Sequence, residues 1–493
     1  MTGQTTNFVL STRMLLVLFS CVFGFVFTDR NRADSTCGER RFEAIISPMH
    51  IVTAFSFFSV FPWLVRRLGL PHRAMMMTQV VLETVLHTCL YDALLLPLLP
   101  LLRRHYSARA CATLWLLPNA LYYLIFGSSG IPRPLLVLPV DANLTGVLWL
   151  WAIGAAAVLA WRVAQHLVFR RRLLEPAHAV DAATLDLWMR EKTAFFENEM
   201  DSRRGIPLLV SPVAVTPLSV GLARRAIRVV LPEQHYSADA LHLIFRHELI
   251  HIARMDAWTK LFLTLCTAVL WWNPLMWLAM RRCAEDLELA CDELVLLDEP
   301  PERRAAYAEL LLHTAGDVRG FTTCLSASLK CLRYRLNSVL HPKQKVLGGL
   351  MLALAASALG WTCGSVAVGY APRPLSEAAF PDTAPLSIQV SATFGKKHTA
   401  LNERDAEALW NALREQTVYT LSGLYEPAPE DEYVWLTADC GDTRVQLILY
   451  DHFVHVRDLQ PRNGHWTLAT RTLDSCFAAP PELARLTAAC GSP

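Results

Sequence analysis

Long apolar segments recur along this chain, and each is about long enough to cross a bilayer as a helix, for which roughly 20 residues are needed. They lie at residues 8–28, 44–65, 77–102, 110–128, 143–168 and 345–370. Residues 170–344 mix polar stretches with shorter apolar runs, as in a folded domain. Residues 371–493 show alternating strand patterns and two amphipathic helices, which predict a small α+β domain. The pattern predicts a mainly α, polytopic membrane protein with two domains outside the bilayer.

The composition agrees with a membrane protein. The 493 residues are 53% hydrophobic and only 18% charged, and the mean hydropathy is positive. The formal net charge is +2, and we find no basic stripe, zinc-finger spacing or Gly-rich phosphate motif. Direct binding of nucleic acid is therefore not expected, and the predicted partners are the lipid bilayer and proteins. The 13 cysteines form no CxxC pair, and those in apolar runs are expected to pack as small hydrophobic side chains.

Arginine clusters in the loops indicate the orientation, because short loops rich in Lys and Arg stay in the cytoplasm. Such clusters occur at residues 30–41, 103–109 and 170–172. Arg66, Arg67 and Arg73 do not fit this scheme, so one of the first two segments is a candidate for an interfacial or re-entrant element. The first segment has no small-residue cleavage site and is expected to remain as an anchor.

The domain organisation follows from this orientation. Residues 1–169 are predicted to form a transmembrane region of about five spans. Residues 170–344 form a cytoplasmic domain, residues 345–370 the last span, and residues 371–493 an extracellular domain. One disulfide among Cys440, Cys476 and Cys490 is compatible with that extracellular location.

The stretch FRHELIHIARMDAW, from Phe245 to Trp258, places two histidines four residues apart around a glutamate. On a helix, residues i and i+4 share a face, so His247 and His251 can bind one metal ion while Glu248 lies beside them. Zinc accepts imidazole and carboxylate ligands, and a catalytic zinc keeps one position open for water. Glu248 can then take a proton from that water as it attacks a peptide carbonyl.

A third ligand is expected in the downstream segment CAEDLELACDEL, residues 283–294. Its acidic residues Glu285, Glu288 and Asp292 share one face of a helix. Such a stripe is more often a solvated surface, but here apolar residues interrupt it and a very apolar segment precedes it. We interpret Glu288 as the ligand, Asp292 as an acceptor that orients a ligating histidine, and Glu285 as the reserve ligand.

The segment between these motifs, residues 261–280, has no charged residue and taken alone predicts a transmembrane helix. A complete crossing would carry Glu288 to the opposite side of the membrane from His247. A shared ion therefore requires the chain to turn back at Asn273, which caps the next helix, and Pro274, which opens it. The segment is predicted to be a membrane-associated hairpin.

The order HELIHIARMD, WWNPLMW and DLELACDELVL resembles the BlaR/MecR-type membrane metalloproteases, which are bacterial receptors of gluzincin-like type. VAVTPLSVGLARRAIRVVLP, residues 213–232, is similar to that family's strand pair ahead of the metal helix, although Arg225 replaces a proline often found there. Further similar segments are AYAELLL at 306–312 and TTCLSASLKCLRYRL at 322–336. The resemblance extends over residues 77–370.

The resemblance implies a zinc endopeptidase in the bacterial cell membrane, with a gluzincin-like fold for the cytoplasmic domain. It implies His247, His251 and Glu288 as zinc ligands and Glu248 as the base. Its substrate would be a cytoplasmic protein such as a transcriptional repressor. A strand edge near Thr216 and Gly221 can pair with an extended substrate, although a plain hairpin is an equally good interpretation.

The C-terminal region departs from the β-lactam receptors of this type, whose outer domain carries an SxxK acylation motif. The only lysines beyond residue 371, Lys396 and Lys397, do not follow a serine by three residues. At about 120 residues the region is also short for a penicillin-binding fold. Covalent sensing of antibiotics by this domain is therefore not expected.

Two other functions compete with a signalling protease. One is a membrane quality-control protease similar to the HtpX type, and the other is a non-proteolytic receptor whose metal only stabilises the fold. Arg254 and Asp256, just past the metal helix, are interpreted as a structural ion pair. The sequence sets no oligomeric state and is compatible with a dimer.

Overall fold

The computed structural model describes residues 71–118, 136–140, 145–196, 205–297, 299–313, 329–341, 348–380 and, with gaps, 387–478. The predicted spans at 8–28 and 44–65 lie outside these residues, as does Cys490. Cys440 forms no disulfide with another described residue.

The chain alternates helices and short strands before ending in a strand-rich region. The helices are α1 Pro71–His105, α2 Ala108–Leu116, α3 Thr145–Leu174, α4 Ala182–Phe195, α5 Ala238–Ala253, α6 Asp256–Val269, α7 Pro274–Val295, α8 Pro301–His313, α9 Leu329–Leu340, α10 Gly349–Ser365 and α11 Leu375–Ala379. The strands are β1 Leu136–Val140, β2 His178–Ala179, β3 Leu208–Ser211, β4 Leu218–Val220, β5 Arg228–Pro232, β6 Val366–Pro374, β7 Ser387–Phe394, β8 Lys397–Ala400, β9 Thr417–Thr420, β10 Tyr433–Asp439, β11 Arg444–Tyr450, β12 Phe453–Arg462, β13 His465–Leu468 and β14 Ser475–Ala478.

Two helices of the described chain are long and apolar enough to cross a membrane. Within α1 the stretch is Val81–His105, and within α3 it is Trp149–Leu174. They correspond to the spans predicted at 77–102 and 143–168.

One predicted span differs from the structure in length. Of the segment 110–128 the structure describes residues 110–118, which lie mostly in α2 and are buried by protein. In the segment 345–370, α10 ends at Ser365 and the chain continues as β6. An apolar, β-branched run such as the start of β6 is compatible with either a span or a strand, and here neighbouring strands satisfy its backbone hydrogen bonds.

The hairpin predicted for residues 261–280 is present. Helix α6 ends at Val269, and α7 begins at Pro274 after Asn273, whose side chain accepts a hydrogen bond from the amide of Leu275. The two helices bury their apolar faces against α1, α2 and α10, with Phe262 of α6 in that core. Helices α1 and α10 overlap predicted spans, so the hairpin packs against helices that the sequence places in the membrane.

A four-stranded sheet lies ahead of the metal helix, in the order β2-β3-β5-β4. Strand β3 pairs parallel to β5, and β4 pairs antiparallel to it, which leaves β4 at the edge. Gly221 ends β4 with φ of 121°, and a Cβ there would clash with the carbonyl of Ala226. The sheet packs on α4 and α5 around Trp188 and Phe245. This core fixes one side of α5, which carries the metal motif.

The C-terminal strands form a larger sheet that also includes β1, a strand from the predicted transmembrane region. Its order is β1-β6-β9-β14-β12-β11-β10-β7-β8, with β13 paired to β12. Strand β1 pairs parallel to β6, in the register Leu136 with Val366. Because β1 precedes α3 and β6 follows α10, one strand pair joins the ends of two helices that overlap predicted spans. The predicted boundary at residue 371 therefore falls within β6.

Candidate metal centre

The two motif histidines project from α5. Ser237 caps the helix, and its hydroxyl accepts a hydrogen bond from the amide of Ala240. The Nε2 atoms of His247 and His251 lie 3.0 Å apart. His251 is fully buried, whereas His247 keeps 13% of its side chain exposed. The pair is therefore reachable from the His247 side.

Glu288 reaches the histidines from α7, across the hairpin. Its Oε2 lies 3.8 Å from Nε2 of His247 and 3.6 Å from Nε2 of His251. Within the described residues this buried oxygen has no hydrogen-bond partner. Ligand atoms around a tetrahedral zinc with bonds of about 2.0–2.2 Å lie roughly 3.4 Å apart. The three atoms therefore fit a zinc ion, which would also give the unpaired oxygen a partner.

Asp256 orients His251. The Nδ1 of His251 lies 2.6 Å from Oδ2 of Asp256, and Arg254 pairs with the same oxygen at 3.2 Å. A proton shared along that bond leaves the lone pair of Nε2 for a metal. The left-handed backbone of Met255, with φ of 54°, separates α5 from α6 and places Asp256 at the start of α6. The predicted Arg254–Asp256 ion pair is present, and Asp256 also contacts His251, which no sequence pattern predicted.

His247 is positioned from two remote helices. The hydroxyl of Tyr307, on α8, lies 2.9 Å from Nδ1 of His247 and donates to Oδ1 of Asp292 at 2.7 Å. Asp292 itself is 3.8 Å from that nitrogen and acts on it through the tyrosine. Arg335, on α9, donates to both oxygens of Asp292 at 2.7 Å. Tyr307 and Arg335 were missed as site residues, although both lie in segments that carry the family resemblance.

Lys260 neutralises the second oxygen of Glu288. Its Nζ, on α6, lies 2.8 Å from Oε1, and both side chains are buried. Burial alone would raise the pKa of Glu288, but Lys260 and His251 hold that pKa well below its usual value. The carboxylate is therefore charged, as a zinc ligand must be.

The surroundings of the histidine pair favour positive charge. Burial alone would lower the pKa of His247, but Cys291 and Glu288 raise it to about 9. Burial alone would also lower the pKa of His251, but Cys291, Glu288 and the hydrogen bond to Asp256 raise that pKa well above its usual value. A divalent cation would supply positive charge at the same place.

The remaining predicted residues lie around this group. Glu285, the reserve ligand, pairs with Arg282 at 2.7 Å and with Arg103 at 3.8 Å, so its contacts are with arginines. Glu248 is buried on α5. Thr216 is buried just ahead of β4, and Gly221 directly follows that strand.

Cys291 also approaches the histidines, although the sequence pattern did not predict it as a site residue. Its Sγ lies 3.4 Å from Nδ1 of His247 and 3.6 Å from the carbonyl oxygen of that residue. Possible ligand atoms of His247, His251 and Cys291 all lie within 4.8 Å of one another. The centre therefore offers two imidazoles, a carboxylate and a thiol.

Comparison with known sequences assigns this part of the chain to a family. The profile described as BlaR1 peptidase M56 matches residues 130–336. This part of the chain is similar to the BlaR1-type M56 peptidases. The matched M56 region contains every residue of the metal centre, and the resemblance noted from its motifs is confirmed. The similarity supports a metallopeptidase.

One curated relative is similar to part of this chain. Regulatory protein BlaR1 of Bacillus licheniformis is 25% identical over 199 residues, which is 40% of this chain and 31% of that protein. The matched segment thus spans about a third of the relative's length.

Replacement of the carboxylate that orients His251 tests the arrangement of the M56 site. Asp256→Asn should lower zinc affinity by about 10–100-fold, because the amide neither fixes the tautomer nor raises the basicity of His251. Competition between the purified protein and a fluorescent zinc chelator measures this. Glu191→Gln is the matched control, since Glu191 pairs with His242 at 2.7 Å away from the metal group. Equal affinity of Asp256→Asn and wild type would contradict the assigned role.

Proposed function

We propose that this protein is a membrane-embedded zinc endopeptidase that acts in transmembrane signalling, with its active site facing the cytoplasm. The observation that supports this most directly is the convergence of two imidazole nitrogens and one unpaired carboxylate oxygen from opposite sides of the hairpin. Their separations of 3.0, 3.6 and 3.8 Å suit one zinc ion bound by His247, His251 and Glu288.

The roles of the side chains follow from their contacts. When bound here, zinc would polarise a peptide carbonyl and lower the pKa of a water molecule. Glu248 accepts the proton of that water and passes it to the departing amine. Asp256 maintains the tautomer of His251, and the hydroxyl of Tyr307 does so for His247. Lys260 compensates the buried charge of Glu288.

The substrate would bind as an added strand. Strand β4 lies at the edge of the four-stranded sheet, between Thr216 and Gly221. A free edge can pair with an extended peptide through backbone hydrogen bonds, which is compatible with many side chains. The proposed substrate is a cytoplasmic regulatory protein such as a repressor, in line with the regulatory name of the relative.

The connection between the two sheets suits a receptor. From β1 in the larger sheet the chain enters α3, and α3 leads to β2 in the sheet of the protease. From α9, which binds Asp292 through Arg335, the chain continues to α10 and then to β6. A movement of the β1–β6 pair would therefore act on the protease through two helices.

Removal and return of metal tests the endopeptidase. The full-length protein in detergent is expected to cleave an unstructured protein such as casein, to lose cleavage in a zinc chelator and to regain it with zinc but not with magnesium. Mass spectrometry of new N-termini measures cleavage. Cleavage that persists in chelator, or zinc binding without any cleavage, would contradict the proposal, and the second result would favour a structural metal.

A further inference from the structure

We propose that Cys291 binds the metal in the resting protein, as a fourth protein ligand in the position that the attacking water must take. The inference rests on the proposed zinc site and adds a means of regulating it. A catalytic zinc keeps a position open, whereas a zinc with four protein ligands is closed. Occupation of that position by a thiolate would therefore lower the rate of cleavage until the sulfur leaves.

The position of Cys291 in the fold supports this role. It lies three residues after Glu288 on α7, so both side chains project from one face of the helix. Cys291 is fully buried and forms no disulfide. Its Sγ is 3.4 Å from a ring nitrogen of His247, close to the roughly 3.5 Å that separates sulfur and nitrogen ligands of a tetrahedral zinc.

One adjustment is required for a shared ion. The sulfur lies beside Nδ1 of His247, whereas Nε2 of that ring faces His251. The candidate ligand atoms of the three residues already lie within 4.8 Å of one another. A rotation of the His247 ring or of the cysteine side chain therefore brings sulfur and both imidazoles to one ion with a shift of about 1 Å.

The surrounding charges suit a thiolate. Two cations, the buried Lys260 and the partly buried Arg335, reach the acidic side of the site, at 2.8 and 3.9 Å from the oxygens of Glu288. They offset the charge that a second anionic ligand would add. On binding, Sγ of Cys291 gives its proton to solvent, and on release it takes one back while water binds in its place.

The neighbouring residue links this switch to the rest of the fold. Asp292 follows Cys291 in the chain and is bound at both oxygens by Arg335 of α9. Helix α9 precedes α10 and β6, which belongs to the larger sheet. A displacement of α9 would thus move Asp292, the residue next to the thiol in the chain.

Cobalt substitution of the full-length protein tests the ligand. Wild type should show the near-ultraviolet thiolate-to-cobalt absorption together with the visible bands of tetrahedral cobalt. Cys291→Ala should lose the thiolate-to-cobalt absorption and keep the visible bands. With zinc bound instead of cobalt, Cys291→Ala should cleave casein several-fold faster than wild type. Cys283→Ala is the matched control, since Cys283 is buried on the same helix and its thiol donates to the carbonyl of Ala112.

The outcomes separate the two proposals. Visible cobalt bands without thiolate absorption in wild type would overturn the cysteine ligand and leave the zinc site standing. Absence of any cobalt binding would overturn both. Should Cys291→Ala fail to fold, zinc-edge X-ray absorption of wild type decides, because a sulfur neighbour at about 2.3 Å supports the ligand and a shell of nitrogen and oxygen alone excludes it.

Discussion

Glu248→Gln is expected to slow peptide cleavage by about 10²–10⁴-fold while the protein retains its zinc, because the amide has the shape of the carboxylate but cannot accept the proton of water. Glu248 is buried on α5, next to His247 in the chain. Its side chain is not one of the three groups whose atoms converge as ligands. Casein cleavage and zinc content, measured on the same preparation, check both halves of the expectation.

The control for this variant changes a carboxylate on the same helix. Asp239 lies exposed in the first turn of α5, so Asp239→Asn removes a charge from the helix without approaching the histidines. It should cleave at the wild-type rate. Cleavage at the wild-type rate by Glu248→Gln would show that Glu248 is not the base. Loss of zinc from this variant would instead indicate a structural role for Glu248.

The elements predicted correctly were those that short-range patterns determine. The helical spacing of His247 and His251 placed both on one face of α5. Asn273 and Pro274 predicted the turn between α6 and α7. The position of Glu288 followed from the requirement that one ion contact residues on both sides of that turn. Local sequence and this single constraint were sufficient to predict that His247, His251 and Glu288 lie close together.

The residues that were missed come from long-range packing or from an unusual backbone. Tyr307 and Arg335 reach His247 and Asp292 from helices far along the chain, and no spacing rule connects them. Asp256 contacts His251 because Met255 adopts a left-handed conformation, which is uncommon for a residue other than glycine. Such contacts depend on how helices pack rather than on how each one forms.

The strand pairing between β1 and β6 was missed for a similar reason. Both are short apolar runs next to predicted spans, and such runs do not reveal by periodicity whether they cross lipid or enter a sheet. Parallel pairing also joins segments that are distant in the chain. The span predicted at residues 345–370 was therefore longer than helix α10, because its last residues form the start of β6.

Glu288→Ala is expected to reduce bound zinc to background and to destabilise the protein even in the absence of metal. The second effect arises because Lys260 would keep a buried charge without its partner, and breaking a buried ion pair in this way costs about 3–5 kcal/mol. Zinc content by mass spectrometry and melting temperature in the presence of chelator measure the two effects separately.

A second substitution separates the ligand role of Glu288 from its ion pair. In the double variant Glu288→Ala, Lys260→Met the unpaired charge is gone and an apolar chain of similar length fills the space, so the melting temperature in chelator should recover most of its loss. Zinc should remain at background, because no lysine substitution replaces the missing carboxylate oxygen beside His247 and His251. Zinc binding by the double variant would show that Glu288 serves the fold and that another group completes the metal site.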